Sequence, residues 1–292
     1  MIFHTHQDSS KQGGYGMPEL PEVETIRKTL EHLVVGKQIE DVTVYWPKII
    51  KKPVEHEQFI DALKGQIIES VDRRGKFLIF YLTDLALVSH LRMEGKYGLF
   101  PINEEMDKHT HVLFTFADGT QLRYKDVRKF GTMHLFAKGE ELTSLPLSQL
   151  GPEPLSDEFS NEYMVQCLRN RNRNIKAVLL DQKLVVGVGN IYVDEALFRA
   201  KIHPQRIAAS LTEEEMERIV SEVKATLAEA IAQGGSTIRS YINSQGQIGM
   251  FQQQLLVYGR NGESCKRCGT TIEKLKVAGR GTHICPSCQK NI

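Results

Sequence analysis

No apolar run in this sequence approaches the ~20 residues that a membrane-crossing helix needs. The first sixteen residues, MIFHTHQDSSKQGGYG, lack the basic flank and apolar core of a signal peptide. Net charge is also scarce, +1 over 292 residues, so overall charge argues for no polyanionic partner. Five cysteines are too few, and of the wrong parity, for a fully paired disulfide framework. There is no internal repeat and no low-complexity tract, which excludes a solenoid or a disordered linker protein. What remains is a globular chain long enough for two domains, 41% hydrophobic and 25% charged, expected in the cytoplasm.

The charge that is present is segregated. Residues 169–176 hold Arg169, Arg171, Arg173 and Lys176 with no acid, and residues 260–290 hold seven cations against Glu263 and Glu273. Acids gather instead in Glu213-Glu214-Glu215 and in the first helical stretch. Such a distribution fits a phosphate-binding face, although solvated loops would give it too.

Hydrophobic spacing divides the chain. Leu20, Val23, Ile26, Leu30 and Leu33 recur at helical intervals up to Gly36. VTVYW, KFLIFYL, LALVSHLRM, HVLFTFADGTQLRY and GTMHLF then read as strands, with Asp118-Gly119 as a hairpin turn. Short strands between turns predict a β-sandwich. The segment 145–159, with three prolines, breaks both periods and reads as a linker. Beyond it Met216, Ile219, Val220, Val223, Leu227 and Ile231 form one stripe, and Thr212 with Glu215 forms a capping box. Cys167, in EYMVQCLRN, reads as a small buried residue.

Three motifs carry chemistry. Cys265 and Cys268 form one C-x2-C pair and Cys285 and Cys288 another, with sixteen residues between the pairs. Two such turns complete a tetrahedral zinc shell with no open coordination position, so one zinc would be structural. The residues between them predict a β-hairpin with Ala278 to Gly281 at its tip, presenting Arg280. LVVGVGNIYVDEALF places two glycines before Asn190 and a helix from about Ile191. That is either a phosphate site or a tight turn between helices. Met93 and Phe130, flanked by Arg92, Lys96, Arg128 and Lys129, are either core residues or apolar wedges of the kind that unstack DNA.

PELPEVET, RRGKF, HLRMEGK, DVRKFG, LGPEPL, KLVVGVGNIY, QGGST and CKRCG…CPSCQK occur together in this order. From Met17 onward the chain resembles the bacterial formamidopyrimidine-DNA glycosylases of the endonuclease VIII superfamily. The resemblance implies an α+β fold: an N-terminal β-sandwich flanked by helices, then a helix–two-turn–helix domain with a zinc-ribbon hairpin. The expected division is 1–16 as a leader outside the true start, 17–144 catalytic, 145–159 linker, 160–255 helical and 256–292 zinc ribbon. PELPE rather than PEGPE favours the oxidised-purine branch, leaving oxidised pyrimidines as the alternative. A zinc-ribbon DNA binder without catalysis is the reading from a different class.

The resemblance also implies roles. Duplex DNA with oxidised bases or abasic sites is the partner, bound by a monomer with no obligatory protein partner. Pro18, once the initiator Met17 is removed, attacks C1′ of the damaged nucleoside. Glu19 shuttles protons, Lys76 contacts the lesion or its phosphate, and Glu22 and Glu195 support the site. Met93, Arg128 and Phe130 fill the gap left by the flipped base. His109, Lys129, Lys176, Asn190 and Arg280 bind DNA, and a loop within 234–250 closes over the base. A terminal amine suits this chemistry. Its pKa of about 7.7–8.0 leaves on the order of a tenth neutral at pH 7, against less than ~0.1% of a lysine near 10.4. A proline iminium, moreover, cannot shed a proton to become a neutral imine. As printed, however, Pro18 is amide-linked to Met17. Translation is therefore expected to begin at Met17, an expectation supported by Lys11-Gln12-Gly13-Gly14, whose codons can carry a ribosome-binding sequence.

Overall fold

In the computed structural model, residues 17–236 and 251–291 are described. The leader 1–16 and residues 237–250 of the expected base-capping loop lie outside them.

Helix α1 (Leu20–Val34) begins where the stripe does, with Pro21 in its first turn. The Glu22 carboxylate accepts the Glu19 N–H at 3.0 Å, capping the helix from within. Leu20, Val23, Ile26, Leu30 and Val34 turn inward. The sandwich then follows: β1 (Ile39–Val44), β2 (Ile50–Lys52), α2 (His56–Leu63), β3 (Ile68–Arg74), β4 (Phe77–Leu82), β5 (Leu85–His90), β6 (Lys96–Pro101), β7 (Thr110–Phe116), β8 (Thr120–Lys125) and β9 (Thr132–Ala137). One sheet has the order β1-β7-β8-β6, the other β2-β9-β5-β4-β3. Phe80, Phe114, Leu122 and Tyr124 are among the side chains buried between the sheets, sharing one core with Val23 and Leu30 of α1.

Six of these strands, β1, β4, β5, β7, β8 and β9, were matched by the apolar runs of the sequence. Strands β2, β3 and β6 and helix α2 were not. IESVDRR and KYGLFP are mixed in polarity because they sit on or near sheet edges, where one face stays wet.

The second half contains α3 (Asn161–Leu168), α4 (Ile175–Leu179), α5 (Asn190–Arg199) and α6 (Glu213–Ala232), then the hairpin β10 (Glu273–Val277) and β11 (Arg280–Ile284). The Thr212–Glu215 box caps α6, with Glu215 N–H donating to Thr212 Oγ1 at 3.2 Å. Val277 pairs with Arg280, so Ala278 and Gly279, at φ +50° and +73°, form the two-residue turn. Segment 145–159 is docked rather than free. Glu153 accepts from Arg73, Arg74 and the Gly75 N–H, and Phe159 is fully buried in the helical core.

Candidate active site and DNA interface

The two halves meet at Glu19. Its carboxylate crosses from the foot of α1 to the N-terminus of α5, accepting the Ile191 N–H at 3.0 Å and lying 3.5 Å from the Tyr192 nitrogen. The dipole of α5 and its open N–H groups favour an anion there. This resolves the ambiguity of VGVGN. Those two N–H groups already hold a carboxylate of the chain itself, and the glycines permit close approach between the halves. A Cβ on Gly189 would lie 2.1 Å from Glu19 Cδ, and one on Gly187, at φ +87°, would lie 2.4 Å from Leu20 Cδ1.

Glu22 lies beside Glu19 and is equally buried. One of its oxygens accepts from Tyr192 Oη at 2.5 Å, Ser236 N at 2.9 Å and Ser236 Oγ at 3.0 Å. It therefore ties α1 to α5 and to the root of segment 234–250. Lys76 is 5% exposed and donates to the Val188 carbonyl at 3.0 Å, another bond between the halves. Pro18 is buried immediately before α1.

Burial sets the proton affinities here. It pushes Glu19 up to about 7, opposed by the charge of Lys76 and reinforced by Glu22. It raises Glu22 too, against the hydrogen bonds from Tyr192 and Ser236. Lys76 is lowered by burial, while Glu19 and Glu22 pull it back and Arg280 pushes it further down. A carboxyl that titrates near neutrality can both give and take a proton at physiological pH.

The hairpin reaches the same region. Asn190 Nδ2 donates to the Gly281 carbonyl at 2.9 Å, beside the exposed Arg280. Lys176 converges there as well, but as a fully buried group. It donates to Asp194 at 2.6 Å, Thr282 Oγ1 at 2.7 Å and Gly281 O at 3.3 Å. The expectation that Lys176 holds a phosphate directly is corrected by this burial: its charge is spent on Asp194, and it acts as a tether under the hairpin. Glu195, next in α5, accepts from the N–H groups of Leu256, Val257 and Tyr258 and so supports the chain entering the ribbon.

Met93, Arg128 and Phe130 lie together on two loops. Arg128 Nη1 approaches Met93 Sδ at 3.0 Å and its guanidinium lies 4.8 Å from the Phe130 ring centre, with Phe130 53% exposed. An exposed Phe touching a cation is not core, which decides that ambiguity in favour of an exposed face. Lys129 stacks on Trp46 at 4.0 Å, and the half-buried His109 gives its carbonyl to Asp126 N–H.

The sulfurs of Cys265, Cys268, Cys285 and Cys288 lie within 4.8 Å of one another, with no disulfide among them. A tetrahedral shell with bonds of about 2.3 Å spaces its sulfurs by about 3.8 Å, so this donor set fits one zinc ion. Phe198, Val257 and Ile272 pack behind it.

Sequence reasoning missed His90, Tyr192, Asp126 and Asp194. His90 is pushed down to about 3 by burial, then by Arg92 and Lys76, and its Nδ1 accepts the Arg92 N–H at 2.9 Å. The available signal was Asp194-Glu195 inside an otherwise apolar helix. Two acids there must be buried with partners.

A sandwich and a helical half joined over a near-neutral carboxyl, with a four-thiolate hairpin and exposed wedge-like side chains, define a two-domain nucleic-acid enzyme with a structural metal site. Three family models match in succession. They are the formamidopyrimidine-DNA glycosylase N-terminal domain over 17–133, its H2TH domain over 150–242, and the zinc finger found in FPG and IleRS over 262–291. The formamidopyrimidine-DNA glycosylase of Bacillus cereus (strain ZK / E33L) is 62% identical over 276 residues, spanning 94% of this chain and all of that protein. That of Bacillus subtilis (strain 168) is 61% identical, spanning 94% and 99%. Lactococcus lactis Fpg, solved with abasic-site DNA, superposes with a TM-score of 0.88 at 44% identity, over 94% of this chain and all of that one. A MutM structure with carbocyclic 8-oxo-G DNA gives 0.87 at 44%, with the same coverage. The chain belongs to the formamidopyrimidine-DNA glycosylase family. Among the described residues, no helix is long and apolar enough to cross a membrane.

Proposed function

We propose that this chain excises oxidised purines, 8-oxoguanine and ring-opened formamidopyrimidines, from duplex DNA and then cuts the abasic strand. The observation that carries the reading is the buried Glu19 carboxyl, titrating near 7 directly beside Pro18 and opposite Lys76. The Pro18 nitrogen bonds to C1′ as the glycosidic bond breaks and the base leaves with a proton. Glu19 protonates the ring oxygen as the sugar opens, giving an iminium at C1′. Loss of a C2′ proton then expels the 3′ phosphate, and a second elimination expels the 5′ phosphate. Lys76 meets the lesion or the adjoining phosphate. Met93, Arg128 and Phe130 occupy the space the flipped base leaves. Arg280, Asn190, His109 and Lys129 hold the backbone, and zinc on the four cysteines fixes the hairpin that carries Arg280. The work is done on chromosomal DNA in the cytoplasm, by residues 17–144 as the catalytic domain with 160–255 and 256–292 as its DNA clamp.

This chemistry requires Pro18 to head the active chain. Borohydride reduces the iminium to a stable amine, so a chain beginning at Pro18 should be captured covalently on 8-oxoguanine duplex. The chain retaining residues 1–17 should not be. Full cutting by the longer chain, or undiminished base release and nicking by a chain carrying Pro18→Gly, would refute the assignment.

A further inference from the structure

The Met93 loop and the Arg128–Phe130 loop each contain a residue in the left-handed backbone region that is not glycine, Arg92 at φ +55° and Lys129 at φ +59°. Such conformations persist only where the surroundings over-determine them. Behind both loops lie Tyr124, at the end of β8, and Asp126, both fully buried. The Asp126 carboxylate accepts the Arg128 N–H at 3.0 Å with one oxygen and the Gly131 N–H at 2.8 Å with the other, bracketing Lys129. Its main chain is equally committed, its carbonyl taking the Lys129 N–H at 3.3 Å and meeting His111 Nε2 at 2.8 Å. Tyr124 Oη lies 3.4 Å from the same carboxylate. That hydroxyl also touches both loops, since a Cβ on Gly131 would come 1.7 Å from it and a Cβ on Gly95 2.3 Å.

We propose that Tyr124 and Asp126 are positioning residues that lock the two loops at one spacing, so that Met93, Arg128 and Phe130 enter a damaged duplex as a single preformed wedge. The 3.0 Å contact between Arg128 and Met93 is the consequence at the surface. A wedge ordered in advance loses little side-chain and loop entropy on insertion, which is where flexible loops would forfeit affinity. The inference rests on the wedge reading given above.

The test compares a chain beginning at Pro18 with its Asp126→Asn, Tyr124→Phe and Phe130→Ala variants. Asparagine keeps one acceptor and turns an N–H2 toward the other loop N–H. The Tyr124→Phe change is milder and should fold even if Asp126→Asn does not. Each protein is given 8-oxoguanine paired with cytosine, and the same lesion in an unpaired bubble whose bases are already unstacked. A 2-aminopurine beside the lesion reports unstacking. Asp126→Asn and Tyr124→Phe should slow excision from the paired duplex on the order of tenfold and dim the 2-aminopurine rise. Bubble cutting should stay within about twofold of the parent. Equal losses on both substrates would mean a merely structural role and overturn the proposal. Parental rates in these two variants, with Phe130→Ala impaired on paired duplex, would also overturn it. An unimpaired Phe130→Ala would instead remove the wedge reading underneath.

Discussion

Two buried lysines face buried carboxylates in this molecule, and they are handled in opposite ways. Lys176 meets Asp194 directly at 2.6 Å, and both side chains are completely enclosed. Thr282 and Gly281 take its remaining protons, and the second Asp194 oxygen takes the His283 N–H at 2.9 Å. Lys76 is enclosed almost as fully, yet among the described residues its one hydrogen bond is to a neutral carbonyl, Val188 O. Among the described residues no carboxylate comes within ion-pair distance of it. Glu19 and Glu22 act on it only through space. A direct pair in which both carboxylate oxygens accept a hydrogen bond is a weld. A charge left without contact to its counter-charge leaves burial to raise the Glu19 carboxyl and lower the Lys76 ammonium, opposed only through space by their mutual attraction. The fold uses the first arrangement to seat the zinc hairpin and the second at the proposed catalytic site.

The contrast is broken most severely at the weld. Asp194→Ala leaves Lys176 as an uncompensated buried charge, and the cost of that is about 3–5 kcal/mol. Urea unfolding of Asp194→Ala should show it. The double variant Lys176→Met/Asp194→Asn, which removes the stranded charge and retains an acceptor for the His283 N–H, should recover most of the loss. A double variant as unstable as the single would mean that packing, not charge pairing, holds the hairpin.

At the catalytic end the sensitive point is steric. Gly189 has an ordinary extended φ of −129°, so its backbone would accept alanine, but Glu19 would not, at 2.1 Å from the new Cβ. Gly189→Ala should cost about 1–3 kcal/mol as overpacking and displace the carboxylate from the start of α5. In a Glu19→Ala background the same change should cost a few tenths of a kcal/mol, roughly the size of ordinary non-additivity. Additive losses in the double-mutant cycle would show that Glu19 is not the obstacle.

These two sites also mark how far the sequence alone could be read. The zinc hairpin was legible because four thiolates at fixed spacing have one stable use, and its tip because Gly279 and Gly281 punctuate it, although Ala278 holds a φ of +50° that its Cβ disfavours. Helices α1 and α6 were legible from their stripes and capping residues. The resemblance supplied Pro18, Glu19 and Lys76, but not their arrangement. Nothing local in PELPE says that Glu19 caps a helix 172 positions away. Lys176 went astray for the same reason. In the run RNRNRNIK it looks like one more exposed cation, and only the return of α5, bringing Asp194 across, turns it inward. Strand β6 was invisible because an edge strand carries half the apolar signal of a central one.

The mildest test exploits proton affinity. Burial holds the folded-state value of Glu19 at about 7, above the 4.5 of a free carboxyl. Between those two values the folded protein binds more protons than the unfolded chain, so stability must fall as pH rises. The contribution is complete below the unfolded value and is lost as pH climbs through about 7. Its full size is at most about 3 kcal/mol, and structural relaxation will reduce it to about 2. Glu19→Gln cannot ionise and retains an oxygen for the Ile191 N–H. Relative to the parent it should gain about 2 kcal/mol between pH 5 and pH 8, even as base excision collapses. Glu195, also raised by burial, tilts both proteins in the same direction and cancels in the difference. Lys76→Met sharpens the comparison. Without the charge of Lys76 opposing its protonation, Glu19 should move above 7, and the parent's loss of stability should shift to higher pH. A Glu19→Gln protein whose stability tracks the parent at every pH would mean that Glu19 ionises freely and that no proton is held poised beside Pro18.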